Sequence, residues 1–372
     1  MTNPPPPGNW GPPQPPYGQG QPPYGPGQWP PQQGWGQPPA PPKSNLKWLL
    51  IGVAVLLVIA ISVGATLLFT RDSGGGTTQT ATGNPPAAGE IASANDTGPV
   101  SVITEDPTCE PWRPIATTLA NVENSGWNNR DSSIPATQWS PEMVSQFESV
   151  AEAMRRAADQ TVPLIGLTPH RAMRELYEQS VIYWRAYADS IKTYSPSDNH
   201  LANVAGNSSG AIVSICNAID SRAAASRSMT ASPAPVPQFQ STPSSLNASE
   251  MVVTERENQL CSDWVDATDK FDADTANWRG LDPNLSRNQW SPAQQQTMED
   301  AAARMEAFAQ NLSDFGTQSN SSTWDDIAQL SALYWRSYSA SVSTYTRADH
   351  DLSLAAAYLA YVPFQACLAA GN

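Results

Sequence analysis

Apolar residues recur at helical spacing through two long blocks of this chain, while a third block is apolar without interruption. The uninterrupted block runs from Trp48 to Phe69, 22 residues without a charge. As a helix it rises about 33 Å, which matches a hydrocarbon core of roughly 30 Å. Residues 46–70 are therefore predicted as a transmembrane helix. A cleaved signal peptide is the competing reading, disfavoured by the length of the run and by the uncharged chain before it. In the first helical block, Ser140-Pro141 offers a capping hydroxyl followed by proline at the first helical position. The helix it opens places Val144, Phe147, Val150, Ala151 and Met154 on one face. Thr168-Pro169 repeats the signal for a helix carrying Met173, Leu176, Tyr177, Val181, Trp184, Tyr187 and Ile191. Another helix begins near Asp198 with Leu201, Val204, Ile212 and Ile215, and the segment after Cys109 supplies a first, giving four.

The second block repeats the first. Trp127 recurs as Trp278, Gln138-Trp139-Ser140-Pro141 as Gln289-Trp290-Ser291-Pro292, Tyr183-Trp184-Arg185 as Tyr334-Trp335-Arg336, and Asp198 as Asp349, all at an offset of 151 residues. Ser322-Thr323-Trp324-Asp325 resembles a capping box where the first block uses Thr168-Pro169. The cysteines follow the same rule, with 107 residues from Cys109 to Cys216 and 106 from Cys261 to Cys367. Four cysteines allow three connectivities. Pairing within each copy gives both the same geometry, because an up-down-up-down bundle sets the start of its first helix beside the end of its fourth. The predicted fold is all-α: one transmembrane helix and two repeated, disulfide-closed helical bundles on a tether. Its boundaries are a tail at 1–43, the span at 46–70, a flexible stalk at 71–104, a first bundle at 105–222, a linker at 223–248 and a second bundle at 249–372.

Composition and charge orient this arrangement. Residues 1–42 hold 17 prolines and no charge, so they bury too little apolar surface to offset chain entropy and are expected to be disordered. Lys43 and Lys47 precede the span, whereas Arg71 is offset by Asp72 behind it, which places the N-terminus in the cytoplasm. Long-range cysteine pairs belong in an oxidising compartment and put the bundles outside. The chain carries a net charge of −14, and the second bundle is the more acidic. Such a surface repels nucleic acid and anionic headgroups.

Candidate chemistry is sparse. Gly206-Asn207-Ser208-Ser209-Gly210 fits the G-x-S-x-G pattern, but a nucleophile elbow needs a strand-to-helix turn, and the matching positions Ala357 to Tyr361 lack a nucleophilic serine. His170, His200 and His350 are too scattered for a zinc site. Asp263, Asp266, Asp269 and Asp272, with Asp274 beyond, spread around a helix and read as a solvated face. No catalytic, cofactor-binding or metal residue is assigned, and no cofactor is expected. Tyr183, Trp184, Arg185 and Tyr187, with Tyr334, Trp335, Arg336 and Tyr338, form the most distinctive shared stripe. They read as core packing or, alternatively, as a ligand groove in which tryptophan stacks and arginine holds an anion.

The tail repeats Gln14-Pro15-Pro16-Tyr17-Gly18-Gln19-Gly20 as Gln21-Pro22-Pro23-Tyr24-Gly25-Pro26-Gly27, a form suited to weak multivalent binding of a protein partner or to service as a spacer. Ala60 and Gly64 bring the span the spacing of helix pairing, and with it a weak homodimer. A Pro/Gly/Gln/Tyr/Trp-rich tail, two lysines, one apolar helix and a Ser/Thr/Gly stalk resemble the proline-rich single-pass membrane proteins of mycobacteria and related actinobacteria. That resemblance implies a plasma-membrane protein facing the cell envelope and carries over no site residue. The expected function is a non-enzymatic envelope interaction or scaffold protein whose tail binds a cytoplasmic partner. An extracytoplasmic sensor or small-ligand-binding module is the alternative, and a serine hydrolase the remote one.

Overall fold

The computed structural model describes residues 91–228, 234–235 and 258–371. The Pro-rich tail, the span at 46–70, the first part of the stalk and most of the linker lie outside the described residues. What is described is helical, with no strand among the described residues. Four principal helices make the first half: α1 (Cys109–Glu123), α2 (Pro141–Ile165), α3 (Arg171–Ser190) and α4 (Asn199–Asp220). After a short α5 (Ala223–Arg227), the second half has α6 (Asn258–Asp274), a one-turn α7 (Ala276–Arg279), α8 (Pro292–Gln318), α9 (Ser322–Ser341) and α10 (His350–Ala369).

Local signals fix several of these ends. Ser140 accepts a hydrogen bond from the Met143 amide and Ser291 from the Gln294 amide, so both serine-proline pairs cap as expected. Two other starts differ from the sequence reading. Thr168-Pro169 does not open α3; His170 is its N-cap, while the Thr168 hydroxyl donates to Asp106 at 2.6 Å. At α9 the cap is Ser321, accepting from Trp324, one residue before the expected box.

Equivalent contacts recur in the two halves. Trp139 Nε1 donates to the Ile134 carbonyl at 2.8 Å and Trp290 Nε1 to the Leu285 carbonyl at 2.9 Å. The Tyr194 hydroxyl donates to the Ser132 carbonyl, and the Tyr345 hydroxyl to the Pro283 carbonyl, both at 2.8 Å. Cys109 is bonded to Cys216 and Cys261 to Cys367, each joining the start of a first helix to the end of a fourth.

The halves do not stand apart on a tether. The most extensive contact between helices joins α4 of the first half to α10 of the second. Polar side chains stitch this seam: His200 Nδ1 lies 2.8 Å from Gln365 Oε1, to which Asn203 also donates at 3.1 Å. Small residues allow the approach, since a Cβ on Gly210 would lie 2.8 Å from the Tyr358 ring. The described residues of both halves therefore form one compact unit. Helix α10 packs against α4, α9 and α6, which accounts for its apolar composition. Residues Arg347–Ala369 are also long and apolar enough to cross a membrane, but most of that stretch is buried inside the unit.

Two segments expected to be flexible are built into the fold. Residues 91–104, assigned to the stalk, lie along the unit as a strap in which Ser93, Val102 and Ile103 are buried. Their Ser/Thr/Ala composition has no helical period, because backbone hydrogen bonds as well as side chains hold them. Residues 223–227, assigned to the linker, form α5; Ala223 and Ala224 are buried, and Arg227 grips Asp349 at 2.8 Å.

Candidate functional site

The densest polar construction in the unit lies where the strap, α3 and α9 meet. Helix α3 is buried on nearly every side, so its first-turn charges face protein rather than water. The Arg171 guanidinium donates to both carboxylate oxygens of Asp326 on α9, with Nη2 to Oδ1 at 2.9 Å. The same guanidinium donates to the strap carbonyls of Asp96 and Gly98, and the Arg171 amide donates to Asp96 Oδ2 at 2.7 Å. One residue of α3 thus binds both α9 and the strap. Burial and charge assistance make such bidentate bonds strong, and Asp326 holds the Arg171 guanidinium above its ordinary value.

Around this clasp the polar groups are paired. Arg174 lies 3.3 Å from Glu175 and 3.8 Å from Glu178. Glu175 is fully buried; desolvation first, then Asp326, pushes its carboxyl well above the usual carboxylate range. Burial likewise raises Asp325, which accepts from Gln329 Nε2 at 2.9 Å. Further along the strap, Glu105 offers its carbonyl to His170 Nε2 at 2.8 Å, and Asp106 accepts from Thr108 and Thr168. The Tyr334 hydroxyl donates to the Ile103 carbonyl at 3.4 Å, a second tie from α9. This arrangement can hold charge and a proton, and it fixes the strap; it presents no activated nucleophile.

Gly316 on α8 lets α9 come close: a Cβ there would lie 2.8 Å from Asp325 Oδ1 and 2.9 Å from Ala328 Cβ. Ala328 cannot retreat without moving its helix. Gly316→Ala is expected to lower stability by about 1–3 kcal/mol, despite alanine's better helix propensity, in denaturant unfolding of the full chain.

Apart from Tyr334, whose hydroxyl reaches the strap, the residues singled out in the sequence fall elsewhere. Tyr183, Trp184, Tyr187, Tyr334, Trp335 and Tyr338 are buried in the two halves, where Trp184 stacks on Trp112 at 6.0 Å and Trp335 meets Phe271 edge-on at 5.0 Å. Their arginines turn to neighbouring helices, Arg185 to Asp159 at 2.8 Å and Arg336 to Glu306 at 3.3 Å. An open groove of about 550 Å³ does exist, between α1 and α2, but Asn121, Ser125, Ser145 and Gln146 line it instead of the stripe. Ser208 is buried in the middle of α4 with its hydroxyl donating to the Val204 carbonyl at 2.9 Å, and no strand-to-helix turn surrounds it. Among the described residues no group of His, Cys, Asp and Glu is arranged to hold a metal. The aspartate ladder is dispersed: Asp263 accepts from Gln259, Asp272 pairs with Arg279 and Tyr361, and Asp274 with Lys270 and Arg304.

A family described as mycobacterial ESX-1 associated protein matches residues 91–371, the stretch from the start of the strap to the end of the last helix. The chain belongs to the mycobacterial ESX-1 associated proteins. It is also 41% identical, over 351 residues, to an uncharacterised protein of Mycolicibacterium smegmatis (strain MKD8), a match spanning 92% of this chain and 91% of that one. No solved structure matches the chain. The match to the ESX-1 associated family begins with the strap, not with α1. The junction of this ESX-1 associated protein escaped the sequence reading, although one signal was present. Glu175 and Asp326 stand at the common offset of 151 residues, each followed by an apolar residue, Leu176 and Ile327, on a helix with a strong apolar pattern.

Proposed function

We propose that the protein is a non-enzymatic, membrane-anchored scaffold of the cell envelope, with a secretion-associated role linked to ESX-1. The helical unit stands outside the membrane, and the Pro-rich tail engages a protein partner in the cytoplasm. The observation that carries this reading is the strap. Chain arriving from a span at residues 46–70 enters the unit through residues clamped between α3 and α9, so a force or orientation applied at the tether reaches both halves together. Such attachment suits a protein that positions others, since what the chain delivers at the strap is passed to both halves at once. The two disulfides favour an oxidising side of the membrane, and the family's description supplies the link to ESX-1.

In-cell crosslinking followed by mass spectrometry tests the tail's role, comparing the full-length protein with a form lacking residues 2–42. Specific cytoplasmic or membrane partners are expected to disappear with the tail while the helical unit keeps its fold. Identical partner lists would reduce the tail to a spacer and overturn that part of the proposal.

A further inference from the structure

The groove between α1 and α2, at about 550 Å³, falls in the size range of small-ligand sites, roughly 300–1,000 Å³, but its lining is of another kind. Asn121, Ser125, Ser145, Gln146 and Ser149 line it with hydroxyls and amides, and Glu142 is its one charged residue. Val122 and the buried Val150 are its apolar part. Among the described residues, the side chains of Asn121, Ser145, Gln146 and Ser149 take no hydrogen-bond partner, so donors and acceptors are both left for a ligand. The turn that ends α1 makes room for one of them. Gly126 takes a φ of +123°, which side chains rarely adopt, and a Cβ there would lie 2.6 Å from Gln146 Nε2. The second half does not repeat this lining. At the 151-residue offset Ala293 replaces Glu142, Thr297 replaces Gln146 and Asp300 replaces Ser149. There Arg304 on α8 also bridges to Asp274 on α6 at 2.8 Å, whereas the first half has Ala153 at the position of Arg304.

The chemistry of the lining selects among ligands. An apolar ligand would strip water from these groups and leave them unpaired, at a cost of about 1–3 kcal/mol each. An anion meets Glu142 and a chain of net charge −14. An extended peptide docks on a sheet edge or in an aromatic-lined groove, and a helical one in an apolar groove; the lining residues supply none of these. A neutral molecule dense in both donors and acceptors fits. We propose that the groove between α1 and α2 is a binding site for neutral carbohydrate. Vicinal ring hydroxyls donate to the Glu142 carboxylate and exchange hydrogen bonds with the amides of Asn121 and Gln146, while the C–H face of a ring lies on Val122 and Val150. Each hydroxyl replaces water bound at the same place, so the gain per sugar is small, and repetition along a polysaccharide supplies the rest. The site gives the helical unit a contact of its own with the envelope, carried by the first half and independent of the tail. It rests on the unit's placement outside the membrane only for where the carbohydrate is met; binding is measured on purified protein, so the two readings can fail separately.

The full chain in lipid nanodiscs, free of sugar-based detergent, is titrated with short neutral hexose and pentose oligosaccharides, with an oligouronate and an uncharged peptide as contrasts. Saturation-transfer nuclear magnetic resonance reads the binding. At least one neutral oligosaccharide is expected to bind, and neither contrast. Ser145→Trp fills the groove from an exposed position and is expected to weaken that binding by about tenfold or more, with helical circular dichroism unchanged. Gln296→Trp, the same change at the second-half counterpart, is expected to bind as the wild type does. Failure of every neutral oligosaccharide to bind, undiminished binding in Ser145→Trp, an equal loss in Gln296→Trp, or preference for the oligouronate or the peptide overturns the proposal. If Ser145→Trp does not fold, hydrogen exchange of the wild type saturated with the bound oligosaccharide decides. Slowing at residues 121–130 supports the groove, and slowing only elsewhere, or none, overturns it.

Discussion

Replacing Arg171 with methionine is expected to cost the helical unit about 3–5 kcal/mol at neutral pH, because it leaves Asp326 as a buried carboxylate without its cation. Methionine fills much of the same volume, so the loss is electrostatic more than steric. The carbonyls of Asp96 and Gly98 lose a donor at the same time, and the strap loses its main polar attachment. Two further results separate this cause from a packing defect. Asp326→Leu combined with Arg171→Met removes the orphaned charge, and the pair should recover much of the stability that the single change loses. The loss should also shrink on acidification, since protonating a buried carboxylate that has lost its cation removes the uncompensated charge. Denaturant unfolding of the full chain at two pH values measures each term. A loss equal at both pH values, or a double variant as unstable as the single one, would remove the ion pair from the account.

Much of this architecture was legible because it rests on local and periodic signals. Ser140-Pro141 and Ser291-Pro292 cap helices whatever surrounds them. The cysteine intervals and the recurrence of Trp139 and Trp290, Tyr194 and Tyr345 are visible as spacing, and the structure gives those residues matching partners. The seam between the halves was not visible, since its residues are small or amide-bearing. His200 reads as a surface residue, and Gly206 to Gly210 as small residues at a helix crossing or kink with no partner named, until α10 is laid against His200, Asn203 and Gly210. The strap was hidden for a related reason: Arg171 holds it largely through the main-chain carbonyls of Asp96 and Gly98, which every sequence has. The stripe of Tyr183, Trp184 and Tyr187 carried two readings because a buried aromatic and a groove-lining one share the same periodicity. The charges on α3 held more information than periodicity reveals. Arg171, Arg174 and Glu175 surround the same turn as Met173 and Leu176, so no rotation of the helix exposes all of the polar side chains while burying the apolar ones.

Removing either disulfide distinguishes one cooperative unit from two independent bundles. The bridge from Cys109 to Cys216 closes a loop of 107 residues and that from Cys261 to Cys367 one of 106. The chain-entropy account gives about 4.7 kcal/mol for loops near this length, and losses of about 2–5 kcal/mol are usual for native bridges. Cys109→Ala with Cys216→Ala, and separately Cys261→Ala with Cys367→Ala, are expected to fall in this range and to cost nearly the same. The form of the transition carries the argument further than its midpoint. Because α4 and α10 share a long seam and Arg171 ties α3 to α9, weakening the first half removes support from the second. Each double variant should therefore unfold in a single transition shifted as a whole, with fluorescence from the buried tryptophans of both halves and helical circular dichroism moving together. Bundles independent of each other would instead give two transitions, one displaced and one at the wild-type position. That outcome would return the fold to two bodies on a tether and deprive the strap of the shared surface on which it is fastened.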